Sequence, residues 1–202
     1  LLQQKQYEAA KAPLRKLIKA YPKNVESADN PYALLAMAHR GLEEGEEERK
    51  VLETLSALSP DSLGAYLRLM EIGSEKEDWK SVETNGERYL AVNPLLPQPY
   101  RYLALAREAN AKPDEAIDAY RVMLRLDPPD PAETHFRLAR LFHEKKDPAT
   151  RRHILQALEE APRYRDAHKL LLAIVGGDKP EAAVDKPAPP PVPALKPASP
   201  AK

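Results

Sequence analysis

The nearest approach to a catalytic motif in this chain is His143-Glu144-Lys145-Lys146-Asp147. In the His-Glu-x-x-His arrangement of zinc proteases, two imidazoles one helical turn apart hold the metal and the glutamate acts as base. Here the fifth residue is aspartate and Pro148 follows at once, so the segment falls at a turn and reads as an exposed helix end. His135 and His143 are eight residues apart, about 12 Å along a helix, too far to share one ion. His135, His153 and His168 read as packing or surface residues. The chain has no cysteine, which removes thiolate nucleophiles, thiolate zinc sites and disulfides together. No phosphate loop, Ser-His-Asp set or paired glycosidase carboxylates can be argued. The residues are therefore read as non-catalytic, with no cofactor and no metal expected.

Charge and hydropathy narrow the remaining classes. The 31 basic residues balance 31 acidic ones, so no net field favours nucleic acid or an anionic membrane as partner. No apolar run approaches the ~20 residues that a membrane span needs. Only 7 glycines and few β-branched runs argue against a sheet, and most of the 21 prolines stand between apolar runs or near the C-terminus.

The elements show most clearly in residues 97–130, PQPYRYLALAREANAKPDEAIDAYRVMLRLDPPD. Tyr100, Leu103, Ala104 and Arg107 recur on one helical face, as do Ala116, Tyr120, Met123 and Leu124. Pro113-Asp114 suits the start of the second helix, where a missing N–H costs nothing and an acidic side chain meets the positive end of the dipole. Asp127-Pro128-Pro129 stops it. Neither helix can bury its stripe alone. Pro60, Pro94, Pro128 and Pro162, each closing such a run, sit 34 residues apart, a period that belongs to repeat arrays.

The residues carrying the period resemble the tetratricopeptide repeat, with Tyr100, Leu103-Ala104, Ala116, Tyr120 and Pro128 at its signature positions. That resemblance implies an all-α fold, a right-handed α-solenoid of helix-turn-helix repeats. On this reading residues 1–177 form the repeat domain: a half-repeat at 1–22, repeats at about 29–62, 63–96, 97–130 and 131–164, and a capping helix at 165–175 before Gly176-Gly177. Residues 1–22 supply a second helix without its first, so the chain is expected to be cut from a longer one. Pro13 should kink that helix near Ala9 or Ala10. Asp29-Asn30-Pro31 and Asp61-Ser62 read as helix starts. The glutamates of the run 41–50 read as a solvated helix start, Trp79 as core, and Gly86 as looser packing or a close helix approach. Residues 178–202 are alanine- and proline-rich and read as a disordered, polyproline-like tail whose PxxP spacings are weak ligand signals.

The resemblance also implies a concave groove lined by the first helix of each repeat. Its expected residues are Met37, Leu67, Glu71, Arg101, Leu105, Phe136, Arg137 and Arg140, a mixture of apolar anchors and arginines suited to an extended acidic segment. Leu67, Glu71 and Tyr102 stand where chaperone-associated repeats carry the Lys and Asn that clamp a C-terminal carboxylate, which argues against that ligand. The function expected is a scaffold for a protein or peptide partner. The alternatives are an accessory domain of a larger enzyme, such as a hydrolase or peptidase, and self-association through the open stripe of residues 7–21.

Overall fold

A computed structural model describes residues 1–27 and 29–176, so the expected tail at 178–202 lies outside the described residues. A 3-10 turn at Leu2–Gln4 precedes ten α-helices: α1 (Tyr7–Ala20), α2 (Pro31–Gly41), α3 (Gly45–Leu58), α4 (Leu63–Glu75), α5 (Trp79–Val92), α6 (Pro97–Ala109), α7 (Pro113–Arg125), α8 (Pro131–Glu144), α9 (Ala149–Glu160) and α10 (Arg165–Val175). No strand occurs among the described residues, and each helix packs chiefly on its sequence neighbours, which makes the molecule an α-solenoid. None of these helices is long and apolar enough to cross a membrane.

The local chemistry of each start and stop is visible. Pro31, Pro97, Pro113 and Pro131 open their helices. The side chains of Asn30, Asp78 and Asp130 accept backbone N–H bonds from Ala33, Ser81 and Glu133. Ser62 does not cap its helix; its hydroxyl donates back to Ser59 O at 2.6 Å. Helix α1 runs unbroken from Tyr7 to Ala20 with Pro13 inside it.

The turn after α2, α4, α6 and α8 is built the same way four times. Glu44, Asp78, Lys112 and Asp147 donate their N–H to carbonyls five residues back, on His39, Gly73, Arg107 and Phe142, at 2.8–3.0 Å. The residue just before each donor, Glu43, Glu77, Ala111 or Lys146, takes a left-handed φ of 54–60°. This is the helix-ending motif that usually uses glycine, here carried by four residues with side chains.

The core is a chain of small clusters, each made by a second helix wedged between two first helices. Leu52 and Leu55 of α3 meet Tyr32 and Ala36 of α2 and Leu69 and Ile72 of α4. Tyr120 and Met123 of α7 meet Ala104 of α6 and Leu138 and Phe142 of α8. Trp79 packs against the cluster between them. Gly86 is a close approach: a Cβ there would sit 3.4 Å from Met70 Sδ and 3.5 Å from Leu103.

Candidate functional site

The recurring left-handed turn residue fixes the register of the first helices, with Glu43, Glu77, Ala111 and Lys146 equivalent. Counting back from them places two rows across α2, α4, α6 and α8. One row is Ala33, Leu67, Arg101 and Phe136; the other, one turn further along each helix, is Met37, Glu71, Leu105 and Arg140. Seven of the eight expected groove residues thus fall on these two rows, and Arg137 flanks them.

Burial separates them. Met37 is 51% exposed, and Leu67, Arg101 and Arg140 are partly exposed. Glu71, Leu105, Phe136 and Arg137, expected to face a ligand, are instead buried. Phe136 packs against Tyr164 with the rings tilted at 52° and their centroids 4.9 Å apart, in the cluster that joins α8, α9 and α10. Glu71 is held at 2.9 Å by Arg68. Arg137 lies between α6 and α8, with its Nε 2.6 Å from Glu133 and Nη1 3.4 Å from Glu108.

Two ion networks cross between repeats. In the first, Glu48 of α3 accepts from Arg68 Nε and Nη2 of α4 at 2.8 and 3.0 Å, and from Arg40 Nε of α2 at 2.8 Å. Burial works to raise the Glu48 carboxyl, but the two guanidiniums hold it below its usual range. Reading the 41–50 run as solvated therefore holds for Glu46 and Glu47 but not for Glu48, which is 1% exposed. In the second network the phenols of Tyr120 and Tyr164 donate to Glu108 and Glu133, the carboxylates that flank Arg137. Burial, together with those carboxylates, raises both phenols above their ordinary value.

Arg101 and Arg140 stand outside both networks. Among the described residues neither has an ion-pair partner, and Glu144, exposed one turn beyond Arg140, does not pair with it. A cleft of about 350 Å³ between α3 and α5 is lined by Arg49, Asp78, Lys80 and Arg88, with Arg49 already bridging Glu53 and Asp78 at 2.8 Å.

The histidines divide differently from their sequence positions. His143 is exposed at the end of α8. His135 of α8 and His153 of α9, however, meet Nδ1 to Nδ1 at 3.0 Å, and His153 stacks on Phe142 with ring centroids 5.3 Å apart. Burial and the facing His135 push the His153 imidazole down to about 4. No group of three or more His, Cys, Asp or Glu that could hold a metal occurs among the described residues. Nothing in the helical spacing signalled the histidine pair or Glu48, because both partners in each contact come from different helices.

Comparison with known proteins places this geometry. A family model described as tetratricopeptide repeat matches residues 1–24. No curated protein matches the sequence. A crystal structure of MamA is similar over 81% of this chain and 94% of its own, at 19% identity and a TM-score of 0.63. MamA 41-end from Desulfovibrio magneticus RS-1 covers 81% and 90%, at 19% identity and a TM-score of 0.61. YrrB, described as a TPR protein with an unusual peptide-binding site, covers 83% and 85%, at 15% identity and a TM-score of 0.66. The period, the paired helices and these likenesses agree: the chain has the tetratricopeptide-repeat fold.

Proposed function

We propose that this chain is a protein-interaction scaffold that holds an extended segment of a partner along the face formed by α2, α4, α6 and α8. The observation that carries the reading is the charge pattern of that face. Arg40, Arg68 and Arg137 are each paired with carboxylates of the scaffold, while Arg101 and Arg140 are partly exposed and have no carboxylate partner among the described residues. An arginine kept for the fold is normally paired; one held on a shaped face without a partner is available for a ligand. Exposed Met37 and partly exposed Leu67 add adaptable apolar contact on the same face. The peptide-binding site of YrrB, a protein of similar fold, supports the same use of the architecture.

The test is site-specific photo-cross-linking in lysate. A photoreactive side chain replacing Met37 should give discrete protein adducts, whereas one replacing Leu155, 45% exposed on α9, should not. Adducts from Leu155 alone would move the interaction off this face.

A further inference from the structure

We infer that the cleft between α1 and α3 is a binding site for a small aliphatic carboxylate, an acyl anion about the size of octanoate. The cleft holds about 280 Å³ over a floor of Ile18, Tyr32, Leu35 and Val51. Tyr32 and Leu35 are buried and Ile18 and Val51 half-buried, while Arg15, Lys19 and Lys50 line the same cleft from exposed positions. The hydroxyls of Tyr32 and Thr54 donate to Pro22 O and Lys50 O at 3.0 and 2.9 Å, so the lining offers a ligand apolar contact and cations.

The neighbouring repeat carries the same cleft with different chemistry. The N–H groups of Tyr21, Ser59 and Asn93, each one residue past its second helix, donate to the carbonyls four residues back at 2.8–2.9 Å, which sets α1, α3 and α5 in register. In that register Ile18 and Val51 correspond to Ser56 and Asn85 of the α3–α5 cleft, and Arg15, Lys19 and Lys50 to Glu53, Ala57 and Thr84. The polar groups of the α3–α5 cleft satisfy one another: Arg49 bridges Glu53 and Asp78, and Asn85 donates to Ser81 O at 2.8 Å. In the α1–α3 cleft Arg15 and Lys19 have no ion-pair partner among the described residues, and Lys50 meets Glu47 at 2.7 Å on the exposed surface. An exposed pair of that kind adds little to stability and yields readily to a ligand.

These groups define the ligand. Covering Ile18, Leu35 and Val51 with a hydrocarbon chain takes apolar surface out of water, and a carboxylate on that chain meets the cations through charge-assisted hydrogen bonds. At about 30 Å³ per water-sized group the cleft takes about nine non-hydrogen atoms, a medium-length acyl chain with its head. A sugar finds no free hydroxyl or amide on the floor, and an alkyl ammonium is repelled by the three cations.

The test is a titration of the full chain with octanoate, octanol, octylammonium and acetate, followed by backbone amide resonances. Octanoate should shift residues of α1, α2 and α3 saturably and bind about tenfold more tightly than octanol, while acetate and octylammonium should not bind there. Arg15 and Lys19 are exposed and unpaired, so an Arg15→Ala/Lys19→Ala variant should stay folded by circular dichroism. It should bind octanol as the native chain does and octanoate no better than octanol; in the native chain, added salt should narrow the preference for octanoate. Absence of saturable binding, shifts centred on the α3–α5 cleft, octanol as tight as octanoate on the native chain, or a folded variant that still prefers octanoate would each overturn the inference. So would binding to anionic phosphatidylglycerol vesicles without binding of free octanoate, which would replace the free acid with a membrane surface.

Discussion

Lowering the pH from 8 to 5 should weaken this fold through the His135–His153 pair ahead of the Glu48 and Glu83 carboxyls, which are held below their usual range. The two Nδ1 atoms are 3.0 Å apart, so one must carry a proton and the other must be bare; protonating both sets two N–H donors against each other. Arg152 and Arg121 face His153 and add to the penalty, while Asp147 partly relieves it. His153 is a base whose folded value, about 4, lies below its ordinary value of 6.5. Its contribution is therefore present above pH 6.5 and is lost progressively as the pH falls from there toward 4. Between those limits the unfolded chain takes up the proton and the folded chain does not, which at pH 5 amounts to about 2 kcal/mol. The Glu48 and Glu83 carboxyls, held below their usual range, lose their contribution only at lower pH. Urea titrations of the full chain at pH 8, 7, 6 and 5, followed by circular dichroism, measure the loss. A His153→Phe variant, keeping the stack on Phe142, isolates it by difference. An identical pH dependence in the variant and the native chain would refute the assignment.

Two further substitutions test the frame that carries the face. Ala111, exposed at φ 57°, should stabilise the protein by about 1 kcal/mol when replaced by glycine, because only the left-handed strain is removed; a lower urea midpoint would show that the turn is not strained. Leu138→Ala, at a fully buried site between α6, α7 and α8, should cost about 2–5 kcal/mol in the same assay.

How much of this was legible beforehand follows from the range of each interaction. Helix pairs, their proline stops and the stripes that face inward come from residues three and four apart, so Tyr100, Leu103 and Ala104 announced α6, and Ala116, Tyr120 and Met123 announced α7. The Asn30-Pro31 start was equally local; the hydroxyl of Ser62 was not, since it had a second acceptor in Ser59 within reach. A second stripe beside the core stripe was also readable, because on a periodic helix it must lie one face over. What could not be read was which of its members stay open. That depends on partners brought in from other repeats: Tyr164 covers Phe136 from 28 residues away, and Glu108 reaches Arg137 across 29. Glu48 looked like one of a run of solvated glutamates until α4 set Arg68 against it.

The periodic sequence by itself determined the all-helical class and the succession of helix pairs, because hydrophobic period and proline punctuation act over one or two turns. Stacking decided the rest: which carboxylates and arginines cancel, that two histidines 18 residues apart share one proton, and that Arg101 and Arg140 have no ion-pair partner among the described residues. Burial and pairing of charge are properties of the space between helices, and that space exists only once the repeats have closed on one another.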